Sequence, residues 1–144
     1  MTENAMRGVV RAFSDALAAR APELFSTKLD DNIEWTVFGP VDLYPFFGQR
    51  RGKVAVMMAF EDMSAHLSIV RIEKEAVLVD GDRAAGLVRI NAVDTVTGRT
   101  LSLRLALFAQ FANGKLMSLK ALFDSFDAVE QSLGHQIDVS RRVA

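Results

Sequence analysis

Few residues in this chain are equipped for chemistry, and they are scattered. Arg89 and Asn91 stand two apart in a largely apolar run, Arg83 to Val96. Alternation along a strand turns both side chains to one face. A guanidinium beside a carboxamide can grip a ligand carbonyl or carboxylate; the pair equally suits a solvated face or a subunit interface, where arginine is common. Asp42 and Tyr44 lie in the stretch from Gly39 to Val56, between a strand-like and a helix-like run. As loop residues they can bring a carboxylate base or a phenolic donor over a ligand, although Asp42 so soon after Pro40 is also ordinary turn chemistry. Histidine is the residue type best suited to proton transfer near neutrality, so His66 is a candidate general acid or base. It also falls at the end of an expected helix, where it would serve the terminal carbonyls, and that reading is favoured. Asp124 and Asp127 read as helix-capping and dipole-matching groups.

Other chemistries find no foothold. There are no cysteines and only two histidines, so thiolate nucleophiles and disulfides are excluded and a protein-held transition metal is not expected. Walker, dinucleotide and HxxxH signatures are absent. The cluster Gln49-Arg50-Arg51-Gly52-Lys53 opens a helix and can attract an anion, but three like charges do not make a nucleic-acid surface. With 17 basic against 18 acidic residues, the formal net charge is -1 and half of the 144 residues are hydrophobic. Neither a polyanion-binding field nor a disordered composition is present. The opening Met1-Thr2-Glu3-Asn4 lacks a basic region followed by an apolar one, and no apolar run spans a bilayer. The expectation is a cytoplasmic chain with no membrane or nucleic-acid partner and no cofactor.

The elements that must position these groups follow from periodicity. Met6, Val9, Val10, Phe13 and Leu17 keep helical spacing. Pro22 suits the first turn of a short second helix, and Leu29-Asp30-Asp31-Asn32 stops helical order before a strand from Ile33 to Phe38. Val56, Ala59, Phe60 and Met63 mark a third helix, from Lys53 to His66. Four long strands follow, Leu67–Val79, Arg83–Val96, Thr100–Ala112 and Lys115–Phe123. The turns between them, Asp80-Gly81-Asp82, Thr97-Gly98 and Asn113-Gly114, carry hairpin chemistry. A last helix capped by Asp124 or Ser125 runs to Leu133 and stops at Gly134. Residues 1–134 read as one domain and 135–144 as a polar tail. Strands segregated from helices predict an α+β fold, a curled antiparallel sheet wrapped as a cone around helices.

The entry helix, the string DDNIEW, the run PFFGQRRGKVAV, the meander and ANGKLMSLKALFDSF together resemble the nuclear transport factor 2-like superfamily. The resemblance is nearest to SnoaL-like, ketosteroid-isomerase-related proteins and runs from about Asn4 to Leu133. It implies a ligand held in the cone, frequent dimerisation through the sheet, and chemistry drawn from isomerases, lyases, cyclases, epoxide hydrolases or none. The ketosteroid-isomerase tyrosine and base positions fall on Phe13 and Gly39, and the aspartate position near Leu107. The epoxide-hydrolase Arg-x-Asp pair and last-strand Asp fall on Arg89-Ile90-Asn91 and Ala121. None of these carries the needed carboxylate or phenol, so neither standard mechanism is expected.

Two function classes stay open. In one, the chain is a cofactor-independent pocket protein for a small apolar molecule, and Arg89 and Asn91 orient a polarised oxygen. If it is an enzyme, Asp42, Tyr44 or His66 would move protons. In the other it is a non-catalytic ligand-binding or dimerisation module. Phe13, Leu17, Trp35 and Phe38 are expected to line the hollow. Phe46 and Phe47 join them from a rim loop turned inward, with Met58 and Leu119 completing the wall. A homodimer is the expected assembly.

Overall fold

The structure, a computed structural model, describes residues 2–140. In chain order the elements are α1 (Thr2–Ala19), α2 (Glu23–Ser26), β1 (Leu29–Phe38), β2 (Gly48–Arg51) and α3 (Lys53–His66). They are followed by β3 (Leu67–Asp80), β4 (Arg83–Asp94), β5 (Thr100–Ala112), β6 (Lys115–Phe123) and α4 (Ser125–Leu133). Met6, Val9, Ala12 and Ala16 form the buried stripe of α1, at the three- and four-residue steps that align one helical face. Asp124 caps α4 by accepting from the Asp127 backbone N–H at 3.2 Å, and Gly134 ends that helix in the left-handed region at φ 79°. At the β5–β6 turn both Asn113 and Gly114 have positive φ, 53° and 74°, as a two-residue hairpin loop matched to strand twist requires. Of the expected tail, residues 141–144 lie outside the described residues. Within the rest, the Ile137 N–H donates to a Glu130 carboxylate oxygen at 2.7 Å.

The six strands form one curled, unclosed sheet in the order β2-β1-β6-β5-β4-β3. It departs from the expected antiparallel sheet at one seam: β1 runs parallel to β6, pairing Trp35 with Leu119 and Val37 with Ala121. The parallel seam is permitted by chain order, because α3 and the whole meander lie between β1 and β6 and give the long connection that parallel strands need. The segment expected to be a continuous loop from Gly39 to Arg51 contributes β2, whose Gln49 and Arg50 pair with Thr36 and Trp35. β1 also begins earlier than its turn-rich sequence suggests, since Leu29 pairs with Leu116 and an irregularity before Glu34 absorbs Asp30 to Asn32. β4 stops at Asp94 rather than Val96, because the Asp94 carboxylate accepts from the N–H groups of Val96 and Thr97 at 2.8 and 3.1 Å. That side-chain turn competes with the ladder.

Helices pack on the concave face. Phe25 of α2 joins Phe13 of α1 edge-on at 5.3 Å, stacks on Phe60 of α3 at 5.2 Å and reaches Trp35 of β1 at 6.2 Å. A second cluster gathers Tyr44, Phe46 and Phe47 from the loop after β1, with Leu101, Leu103 and Leu105 of β5 and Ala128 of α4. The greasy loop therefore folds into the core. Gly39 makes this possible, because a Cβ there would sit 2.6 Å from the Phe47 ring, which is itself stacked on Phe123 at 4.9 Å. Trp35, Met63 and Leu107 border both clusters.

Candidate functional site

Between the two clusters lies a cavity of about 380 Å3, at the lower end of the roughly 300–1,000 Å3 typical of small-molecule sites. Its wall is built by strand parity. Opposite residues in a ladder share a face, so Gly86, Val88 and Ile90 of β4 look inward together with Leu107 and Leu105 of β5, their partners being Gly86–Leu107 and Val88–Leu105. Trp35 and Val37 of β1, Ala121 of β6, Met6 and Phe13 of α1, and Phe60 and Met63 of α3 complete it. The charged residues that touch the cavity are Glu3, Arg7, Lys74 and Glu75. All four are solvent-exposed, so they mark the mouth, where the first turns of α1 cross β3.

Of the expected lining residues, Phe13, Trp35, Phe46, Phe47 and Leu119 touch the cavity. Three do not. Phe38 is on the outer face, since its neighbour Val37 is the one turned inward, and it is half exposed. Met58 is exposed because Ala59 and Phe60 carry the buried stripe of α3. Leu17 packs one turn past the cavity, against the α1 core. Phe46 and Phe47 turn inward and are buried.

The polar residues fall elsewhere than expected. Arg89 and Asn91 do share a face, but it is the one opposite the cavity. There Arg89 donates from Nη1 to Ser102 Oγ at 2.8 Å and lies 3.6 Å from the Glu75 carboxylate. Arg104 donates to the same carboxylate at 3.3 Å. The inward residues of this strand are the flanking Val88 and Ile90, so the expected border of Arg89 and Asn91 on the hollow is corrected by one step of strand parity. Asp42 is exposed on a turn where the Leu43 and Tyr44 N–H groups donate to the Pro40 carbonyl at 3.0 and 2.9 Å. His66 closes α3 with Nδ1 2.8 Å from the Asp62 carbonyl oxygen, its ring 5.8 Å from that of Phe46. Among the described residues, no cluster of three histidines and carboxylates is placed to hold a metal.

Tyr44 is buried and its phenol is hydrogen-bonded to the Ser132 hydroxyl of α4, away from the cavity. Burial pushes the phenol above its ordinary value; the Ser132 bond pulls it partly back, and the Asp94 carboxylate adds to the rise. The folded state therefore holds this proton more tightly than the unfolded chain does. Stability contributed by the neutral phenol is present below pH ~10 and is lost as pH rises through and beyond that value. Tyr44 is the single tyrosine, so its ionisation can be followed by ultraviolet difference absorbance. Urea unfolding midpoints should fall above pH ~10, and more steeply than in Tyr44→Phe; equal slopes would show that the phenol is not linked to folding.

The residues that sequence reasoning missed are Gly86, Val88 and Ile90 in the wall and Arg7 and Lys74 at the mouth. Alternation in β4 was visible, but its inward parity was not.

The family model of the SnoaL-like domain matches residues 10–119. This chain belongs to the SnoaL-like family, within the nuclear transport factor 2-like superfamily. A solved structure named as a candidate isomerase, from Rhodopseudomonas palustris, is 42% identical to the SnoaL-like chain. Its TM-score is 0.88, with 94% of this chain and 100% of that one covered. A nuclear transport factor 2-like protein from Burkholderia pseudomallei aligns with TM-score 0.75 at 20% identity, over 89% of this chain and 96% of its own. An epoxide hydrolase of the limonene-epoxide-hydrolase-like type from M. tuberculosis gives TM-score 0.70 at 16% identity, over 90% of each. These last two share the fold alone. No curated protein matches. In the SnoaL-like cavity, Phe13, Leu107 and Ala121 occupy the wall where the resemblance placed catalytic groups of isomerases and hydrolases, and all three are apolar.

Proposed function

We propose that this SnoaL-like chain binds a small, largely apolar molecule in the cavity between its helices and the concave sheet. The observation that carries the reading is a void of about 380 Å3 whose interior wall has no titratable side chain. Filling such a void with an apolar ligand removes hydrocarbon surface from water at about 25 cal/mol per Å2. Trp35, the chain's single tryptophan, lies in the wall and reports occupancy directly. Titration with 10-bromodecan-1-ol, whose bromine quenches an indole on contact, should quench Trp35 saturably. Quenching that rises linearly without saturation, as collision from bulk solvent would, refutes the reading.

An isomerase-type activity is the second reading, favoured by the 42% identical relative named as a candidate isomerase. Its proton carrier would have to come from the mouth, where Glu3, Lys74 and Glu75 are the side chains able to take up or release a proton. The two readings part on deuterium exchange from D2O into the α-carbon of 2-decanone. A binding protein leaves that exchange at the buffer rate, whereas an isomerase accelerates it.

The proposed assembly is a homodimer through the convex face. On that face the ladder aligns Leu78, Ala85 and Phe108 in one row, and Leu87, Ala106, Leu122 and Phe38 in the next. Leu78, Phe108 and Leu122 are 74%, 53% and 44% exposed, an apolar surface of the kind that a second subunit covers. Light scattering at micromolar concentration should give twice the chain mass; a monomer removes this part of the proposal.

A further inference from the structure

The cavity is apolar within but its mouth is not electrically neutral, and this bears on what the bound molecule carries at its outer end. Four charged residues touch the cavity, and their partners divide them. Glu3 and Arg7 pair with each other at 2.8 Å, one turn apart on α1. Glu75 is turned away: it sits in the irregularity between Lys74 and Ala76, and its carboxylate faces Arg89 and Arg104 on the convex side. Lys74 is directly opposite Val88, an inward residue of the wall, so its stem starts on the cavity side of the sheet. Among the described residues no carboxylate lies within ion-pairing distance of Lys74. Its ammonium is thus the uncompensated charge at the opening, with the Arg7 guanidinium held on α1 across from β3. The long apolar stem of a lysine lies readily along a hydrocarbon wall while its head stays wet.

Resting on the reading of the cavity as a ligand site, we infer that its ligand is an amphiphilic anion: an apolar body inside the cone and a carboxylate at the mouth, facing Lys74 and Arg7. The charge remains in contact with water, so no ion is buried at the cost that deep pairing incurs. The attraction at such an exposed site is modest and falls with salt.

Three probes with one apolar body separate the head group from the cavity: 10-bromodecanoate, 10-bromodecan-1-ol and 10-bromodecylamine, each titrated against Trp35 emission below its aggregation limit. The carboxylate should bind about fivefold tighter than the alcohol, and the amine more weakly than either. The preference for the carboxylate should shrink in 1 M NaCl, vanish in Lys74→Gln with Arg7→Gln, and reverse in Lys74→Glu. Far-ultraviolet circular dichroism and urea midpoints matching those of the parent chain show that the variants are folded, and each preference is read as the ratio of carboxylate to alcohol affinity within one variant. Equal binding of carboxylate and alcohol, or a preference that survives the double substitution, overturns the inference and leaves the cavity reading standing. Failure of the alcohol to quench saturably overturns both.

Discussion

Gly86→Phe is expected to abolish saturable quenching of Trp35 by 10-bromodecan-1-ol in a chain that remains folded. Gly86 faces into the cavity from the middle of β4, opposite Leu107 on one side and Val77 on the other. A Cβ there meets only the Ala76 carbonyl oxygen at 3.5 Å and Val88 Cγ2 at 3.9 Å, which are ordinary contacts. Its φ is not among the positive ones, so a side chain imposes no backbone strain. Phenylalanine favours strands more than glycine does, on a scale spanning about 1 kcal/mol, and its ring would project into the void. The binding constant should weaken by more than tenfold while circular dichroism and the urea midpoint hold or improve, as for a filled cavity. Unchanged affinity in a folded Gly86→Phe would show that the probe sits somewhere else.

The largest stability effect should come from Phe25→Ala, with a loss of about 3–5 kcal/mol. Phe25 is only 1% exposed and is the shared neighbour of Phe13, Phe60 and Trp35. It is thus one contact shared by α1, α2, α3 and β1. Removing its ring takes away both apolar burial and the edge and stacking geometry that aromatic pairs prefer. The loss is a large part of the roughly 5–15 kcal/mol that holds a typical domain. Urea unfolding followed by far-ultraviolet circular dichroism reads it directly, and a loss below about 1 kcal/mol would mean that the cluster reorganises around the gap. Because Phe25 also lines the cavity, the variant should admit bulkier probes than the parent chain.

Much of the scaffold was legible in the chain. The hairpin glycines and the Asp124 cap are local devices, and each occurs where its sequence chemistry placed it. The first helix forms as its spacing predicts, but its buried stripe is Met6, Val9, Ala12 and Ala16, with Phe13 and Leu17 only partly buried beside it. The parallel seam between β1 and β6 was not legible, because pairing between strands so far apart in sequence leaves no local signature. β2 was missed for a related reason: Gly48–Arg51 is short and polar, and it becomes a strand only because β1 offers an edge to pair with.

The candidate site divides along the same line. Alternation in β4 by itself determined that Arg89 and Asn91 share a face, and the lack of cysteine determined that no thiolate chemistry takes place in this chain. Which face turned inward was decided by tertiary structure alone. Ala85 and Leu87 share their side of β4 with Arg89 and Asn91, whereas Ala84, Gly86, Val88, Ile90 and Ala92 on the other are uniformly apolar. A polar pair can equally line a pocket, so that contrast did not give the direction until the packing of the sheet fixed it. A period of two fixes companions but not direction. Direction came from the helices, whose aromatic cluster at Phe25 can rest against only one side of the curled sheet, and with it came the identity of Lys74 as the charge at the door.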